Sequence, residues 1–165
     1  MRLYLMRHGV AIDRDDPDCP GEAERYLTPK GIERTREVAA GLVEAGIRPT
    51  VLLTSPYVRA VQTGEIVCEA LELDSKSLHA TDALKPEAKP ARIAEELARI
   101  AADEVICFGH APHLDDFIAY AVGGSGPITI LKKGGVACLD VQTFAPPSAH
   151  LRWLLTPKLL RDLGG

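Results

Sequence analysis

Leu3-Tyr4-Leu5-Met6-Arg7-His8-Gly9 reads as a strand that carries polar chemistry at its end. Four apolar residues in succession, with no polar alternation, describe a strand buried on both faces, and the glycine breaks it. A strand of that kind belongs inside a mostly parallel sheet covered on both sides. The next segment changes period. Thr28-Pro29-Lys30-Gly31 opens a stretch to about Gly46 in which Ile32, Val38, Ala39, Leu42 and Val43 recur at helical spacing. Thr28 suits the N-cap, Pro29 the first helical position, and Gly46 the residue just past the end.

The same alternation continues along the chain. Val51 to Thr54 is an apolar run ending at Ser55-Pro56, and Tyr57 to Leu73 returns to helical spacing. Pro90 to Ala102 reads as an amphipathic helix, Glu104 to Gly109 as a buried strand, and Pro112 to about Val122 as a helix stopped by Gly123-Gly124. Gly135 to Val141 and Leu151 to Leu154 read as two further strands with Pro146-Pro147 turning between them. Strands separated by helices predict a three-layer α/β/α sandwich, its mostly parallel central sheet ending in an antiparallel edge. With no repeat, low-complexity tract or linker, a single domain over residues 1–165 is expected. Asp13 to Arg25 and Lys85 to Lys89 are expected as surface loops, the first near the mouth of any site.

Composition bounds the partners. The 165 residues are 46% hydrophobic and 25% charged, which excludes disorder as the main theme. Nineteen Lys and Arg against 23 Asp and Glu give a net charge of −4, which argues against nucleic acid as a broad partner. Any anion is met locally, by a few placed arginines. No run of 18 apolar residues occurs, and MRLYLMRHG is too short in apolar length for a signal peptide, so no membrane partner and a cytoplasmic location are expected. Cys19, Cys68, Cys107 and Cys138 form no C-x-x-C pair and read as free thiols, three of them in apolar surroundings.

In a parallel sheet, ligands bind outside the carboxyl ends of the strands. Three such ends carry suggestive residues: Arg7-His8-Gly9, Ser55-Pro56-Tyr57-Val58-Arg59 and Gly109-His110-Ala111-Pro112. Each taken singly is weak. Consecutive residues of a regular strand face opposite ways, so Arg7 and His8 share a site only if the chain turns, which Gly9 would permit. Arg59 falls in the first turn of a helix, where a cation opposes the helix dipole and a bound anion would relieve the conflict. Together they form a set suited to phosphate. Two guanidiniums clamp phosphoryl oxygens, one neutral imidazole attacks phosphorus, and a second binds the charge on the equatorial oxygens. Such a site needs neither metal nor other cofactor, because Arg and His supply the positive charge.

The residues at this point resemble a known family. Leu5-Met6-Arg7-His8-Gly9, Leu27-Thr28-Pro29-Lys30-Gly31, Thr54 to Thr63 and Phe108-Gly109-His110-Ala111-Pro112 are similar to four ordered signatures of the histidine phosphatase superfamily, of phosphoglycerate mutase-like fold. The short chain and the late Trp153 to Leu159 stretch resemble the SixA-type phosphohistidine phosphatases. The resemblance implies that His8 is the nucleophile, that Arg7 and Arg59 bind the phosphoryl group with Gly9 in the substrate-binding set, and that His110 completes the pocket. Mutase-like members have a Glu after R-H-G and an Asn a few residues later, whereas Val10 and Ala11 follow here, which weakens a mutase reading. A carboxylate acid, if one is used, is Glu87 or Asp82. An alkoxide leaving group wants such an acid, whereas a phosphorylated imidazole leaves readily once its ring is protonated. The reading is therefore a metal-independent phosphatase acting on phosphohistidine, with a histidine-containing phosphotransfer domain as the partner the resemblance implies. The alternatives are a broad phosphomonoesterase for small molecules and a catalytically silent phosphate-binding module.

Three histidines fall outside this set. His113 is expected at the surface of a helix N-terminus, and Asp115 and Asp116 are expected to complement the dipole of the same turn. His79 and His150 lie beside apolar, strand-like residues and are expected to be structural.

Overall fold

The computed structural model describes residues 1–165. In chain order its strands are β1 (Arg2–Arg7), β2 (Val51–Thr54), β3 (Leu78–Ala80), β4 (Glu104–Gly109), β5 (Val136–Phe144) and β6 (Pro147–Leu155). Its helices are α1 (Pro29–Glu44), α2 (Val58–Ala70), α3 (Pro90–Leu97), α4 (His113–Ala121) and α5 (Pro157–Leu163). All six strands join one sheet in the order β3-β2-β4-β1-β5-β6. The first four run parallel, β5 is antiparallel to β1, and β6 is antiparallel to β5. The expected sandwich is present, with its antiparallel pair at one edge.

The unbroken apolar run in β1 is explained by its central place. Leu3 and Leu5 pack with Ile93 and Leu97 of α3 and with Leu114, Phe117 and Ile118 of α4. Tyr4 and Met6 pack on the other face with Val38, Ala39 and Leu42 of α1, Val67 of α2 and Leu160 of α5. The Val, Leu, Ile, Met and Phe side chains among them each contribute roughly 1.5–3 kcal/mol by leaving water. Thr28 caps α1 by accepting from the Gly31 N–H at 3.0 Å, Pro29 is the first helical residue, and Gly46 ends the turn at φ +72°.

Several boundaries differ from the sequence reading, for physical reasons. The third helix stops at Leu97, five residues short of Ala102; Ile100 still packs on the core after the helix has ended, so its spacing mimics another turn. β5 and β6 are longer than expected because their distal halves are solvated and carry polar residues. β3 and α5 were not anticipated. A three-residue strand leaves almost no pattern, but α5 repeats the Thr-Pro opening of α1, with Thr156 accepting from the Leu159 N–H.

The connections create the site. α1 leaves β1 toward one face and α4 leaves β4 toward the other, while β1 and β4 are neighbours paired from Arg2↔Glu104 to Arg7↔Gly109. A crevice opens where two adjacent strands send their helices opposite ways.

Candidate active site

The register places His8 and His110 side by side, one residue beyond the paired ends of β1 and β4. The His8 N–H donates to the Gly109 carbonyl at 3.0 Å, and the two imidazole centroids are 5.2 Å apart. His8 is 6% exposed and His110 2%. The His8 Nδ1–H donates to the Gly9 carbonyl at 2.7 Å, which leaves Nε2 as the ring's acceptor nitrogen. That nitrogen accepts from Arg59 Nε–H at 3.2 Å. The two bonds fix one tautomer and aim one lone pair. On His110, Nε2 meets the Ser55 hydroxyl at 2.8 Å while Nδ1 has no protein partner.

Arg59 is held on every side. Its Nη1 donates to the Glu22 carbonyl at 2.7 Å and its Nη2 to the Glu22 carboxylate at 2.9 Å, and its guanidinium lies over the Tyr57 ring. Glu22 thus supplies the anion that a cation at a helix N-terminus calls for. Thr63, one turn along α2, donates to the Arg59 carbonyl and accepts from the Gly9 N–H at 3.0 Å, tying the end of β1 to the helix. Arg7 donates through Nη1 to the Leu131 carbonyl at 2.8 Å. A cleft of about 220 Å³ is lined by these groups together with Arg14, Arg25, Lys133, Pro86 and Ala111. Five cations and two imidazoles therefore face one carboxylate.

Residues 3–85 match the family described as the histidine phosphatase superfamily (branch 1). The chain belongs to that superfamily. An uncharacterized protein of Picosynechococcus sp. is 36% identical over 140 residues, 82% of each chain. The phosphohistidine phosphatase SixA of Escherichia coli is 34% identical over 77 residues, 47% of this chain and 45% of that one. Among solved structures, the protein histidine phosphatase SixA complexed with tungstate superposes with a TM-score of 0.84 at 24% identity, covering 97% of this chain and 99% of that one.

In this superfamily member, several expected positions are occupied differently. Gly9 does not line the cleft and is not in the left-handed region of φ; a Cβ there would run into the Thr35 hydroxyl on α1. Its requirement is space, and its peptide groups serve His8 and Thr63. Neither carboxylate proposed as an acid reaches the cleft. Asp82 is exposed and paired with Lys85 at 3.0 Å, and Glu87 is exposed beside the Tyr57 hydroxyl at 3.5 Å. The carboxylate that does line it, Glu22, is held down at about 2 by its hydrogen bond from Arg14 and by the charges of Arg59 and Arg25, so it stays ionised. Sequence reasoning placed its loop at the mouth but singled out neither Glu22 nor Arg25, and it missed Lys133.

His113 is not a surface residue. The link from β4 to α4 is only three residues, so the first residue of α4 is tucked against the end of the sheet, 2% exposed, with neither ring nitrogen paired. His79 and His150 are exposed on strands β3 and β6. Asp115, too, does more than complement a dipole. It is buried and accepts from Thr129 Oγ1 at 2.7 Å and from the Leu131 N–H at 2.9 Å, holding the peptide whose carbonyl receives Arg7. Asp115→Ala strands a buried N–H, a cost of about 1–3 kcal/mol. Thermal denaturation is expected to show Tm lowered by roughly 3–10 °C, while Asp116→Ala, at an exposed position, stays near the parent.

Burial also sets the charge state. Desolvation, reinforced by Arg59, Arg7 and Lys133, pulls the His8 imidazole down to about 3; desolvation, with His8 and Arg59 beside it, pulls His110 to about 2. Both rings are neutral at neutral pH. The unfolded chain protonates these rings near pH 6.5 and the folded chain does not, so stability present above about 6.5 is lost as pH falls. Each ring is expected to subtract roughly 2 kcal/mol at about pH 5. Urea midpoints at about pH 7.5 and about pH 5 check this; His113, whose burial also lowers its pKa, adds to the drop, and His110→Asn is expected to remove the share of its own ring.

Proposed function

We propose that the protein is a phosphatase working through a covalent phosphohistidine at His8, with phosphohistidine in a signalling protein as its substrate. The observation that carries this reading is the His8 Nε2 lone pair, aimed by Nδ1–H···O=C of Gly9 and flanked by Arg59 in a cleft of cations. Arg7 and Arg59 bind the phosphoryl oxygens, and Nδ1 of His110 donates to one of them while Ser55 holds Nε2. Nε2 of His8 attacks phosphorus in line, and the P–N bond to the substrate ring breaks with its electron pair going to that ring nitrogen; the ring's other nitrogen already carries a proton, so it leaves as neutral imidazole. Water then attacks phosphorus and returns His8 with inorganic phosphate.

The positions of Asp82 and Glu87 outside the cleft favour a leaving group that needs no carboxylic acid, and a phosphoramidate meets that condition better than an alkyl ester. The likeness to SixA proteins points the same way. Arginine and histidine supply the charge that a metal supplies elsewhere, so turnover is expected to persist in EDTA; strict Mg²⁺ dependence would contradict the mechanism. The deciding comparison sets a histidine-phosphorylated phosphotransfer domain against sugar phosphates and an aryl phosphate. The phosphoprotein is expected to have the highest kcat/KM, and faster turnover of sugar phosphates would overturn the substrate assignment.

A further inference from the structure

The two most exposed large apolar side chains of the protein are on one short segment at the rim of the cleft: Ile130 is 78% exposed and Ile128 is 55%. Burial alternates along this segment. Thr129 is half-buried and Leu131 fully buried, whereas Ile128, Ile130 and Lys132 are exposed. The inward residues are pinned by Asp115, and the Leu131 carbonyl receives Arg7. Lys133, next along, lines the cleft. The outward isoleucines belong to neither core cluster. A pinned backbone that presents apolar side chains to water beside a cationic cleft has the form of a contact surface.

We infer that Ile128 and Ile130, edged by Lys132, dock a folded phosphoprotein whose phosphorylated side chain enters the cleft from an apolar patch bordered by carboxylates. The occupant is chosen by size and charge. A cleft of about 220 Å³ holds a phosphoryl group and the end of one side chain, so the rest of a protein substrate lies against the rim. Five lining cations, with Lys132 outside them, complement an acidic face around the phosphate. The segment is therefore shared: its inner side fixes the Arg7 clamp and its outer side meets the partner.

This inference rests on the phosphohistidine phosphatase reading, and the experiment separates the two. The probes carry the same P–N bond, one as free N-phosphohistidine and one in a histidine-phosphorylated phosphotransfer domain. In the Ile128→Ser/Ile130→Ser variant, KM for the phosphoprotein is expected to rise by about tenfold or more with kcat within about twofold, while free N-phosphohistidine is turned over as by the parent. Lys132→Glu is expected to raise the same KM. An unchanged KM for the phosphoprotein, or an equal loss on both probes, would overturn the docking surface. If the parent protein hydrolyses neither probe, the phosphohistidine reading itself fails and the docking surface with it.

Discussion

His8→Ala is expected to lower kcat/KM by on the order of 10⁴ or more, because in the proposed mechanism it removes the atom that forms the covalent bond and not merely a contact to it. The change should fall on kcat. Phosphate-site binding should largely survive, since Arg7, Arg59 and His110 keep their bonds to Leu131, Glu22 and Ser55 when Arg59 loses its Nε–H bond to His8. The ring also carries a stability cost, being buried and neutral. The variant is therefore expected to stay folded and to lose part of the acid sensitivity of the parent. Steady-state kinetics with an aryl phosphate, alongside phosphate-protection measurements, check both halves. A variant that kept more than about a tenth of the parent's kcat would remove His8 from the nucleophile role.

Arg59→Ala is the second large effect, expected to reduce kcat/KM by roughly 10²–10³. One guanidinium here does three jobs. It donates to His8 Nε2, stacks over Tyr57, and anchors Glu22, with N–H groups left over for phosphoryl oxygens. Lysine offers a point charge that cannot donate along several fixed directions, so Arg59→Lys is expected to recover little. Near-parental kcat/KM in that variant would show that charge alone suffices. Desolvation is the foremost cause of the low His8 value, so His8 is expected to remain neutral at pH 7 in either variant, with the acid limb of the pH profile little moved.

How much of this was legible in the chain varied with how local the cause was. β1 could be read because a strand buried on two faces has no polar alternation, and its partner β4 carries the same mark. His8 and His110 then followed from the rule that sites lie beyond strand ends. Arg59 was marked by its conflict with a helix dipole. The loop from Asp13 to Arg25 resisted reading at residue level. Its composition says surface, and nothing in a linear pattern tells that Glu22 folds back across 37 positions onto Arg59, or that Arg25 is buried by donating to the Ile12 carbonyl. Gly9 was read for its conformational freedom when the requirement is the closeness of α1, a packing fact invisible in sequence. His113 and Asp115 were assigned to a solvated helix end because a three-residue link gives no hint of how tightly it draws α4 against the sheet.

The most direct test is to trap the intermediate. The protein is mixed with labelled N-phosphohistidine, quenched in alkali within its first turnovers, and digested for site mapping. The account predicts an acid-labile, alkali-stable phosphoryl group on Nε2 of His8, absent from His8→Ala. A phosphoryl group on Nδ1, on another residue, or still formed in the His8→Ala protein would contradict it.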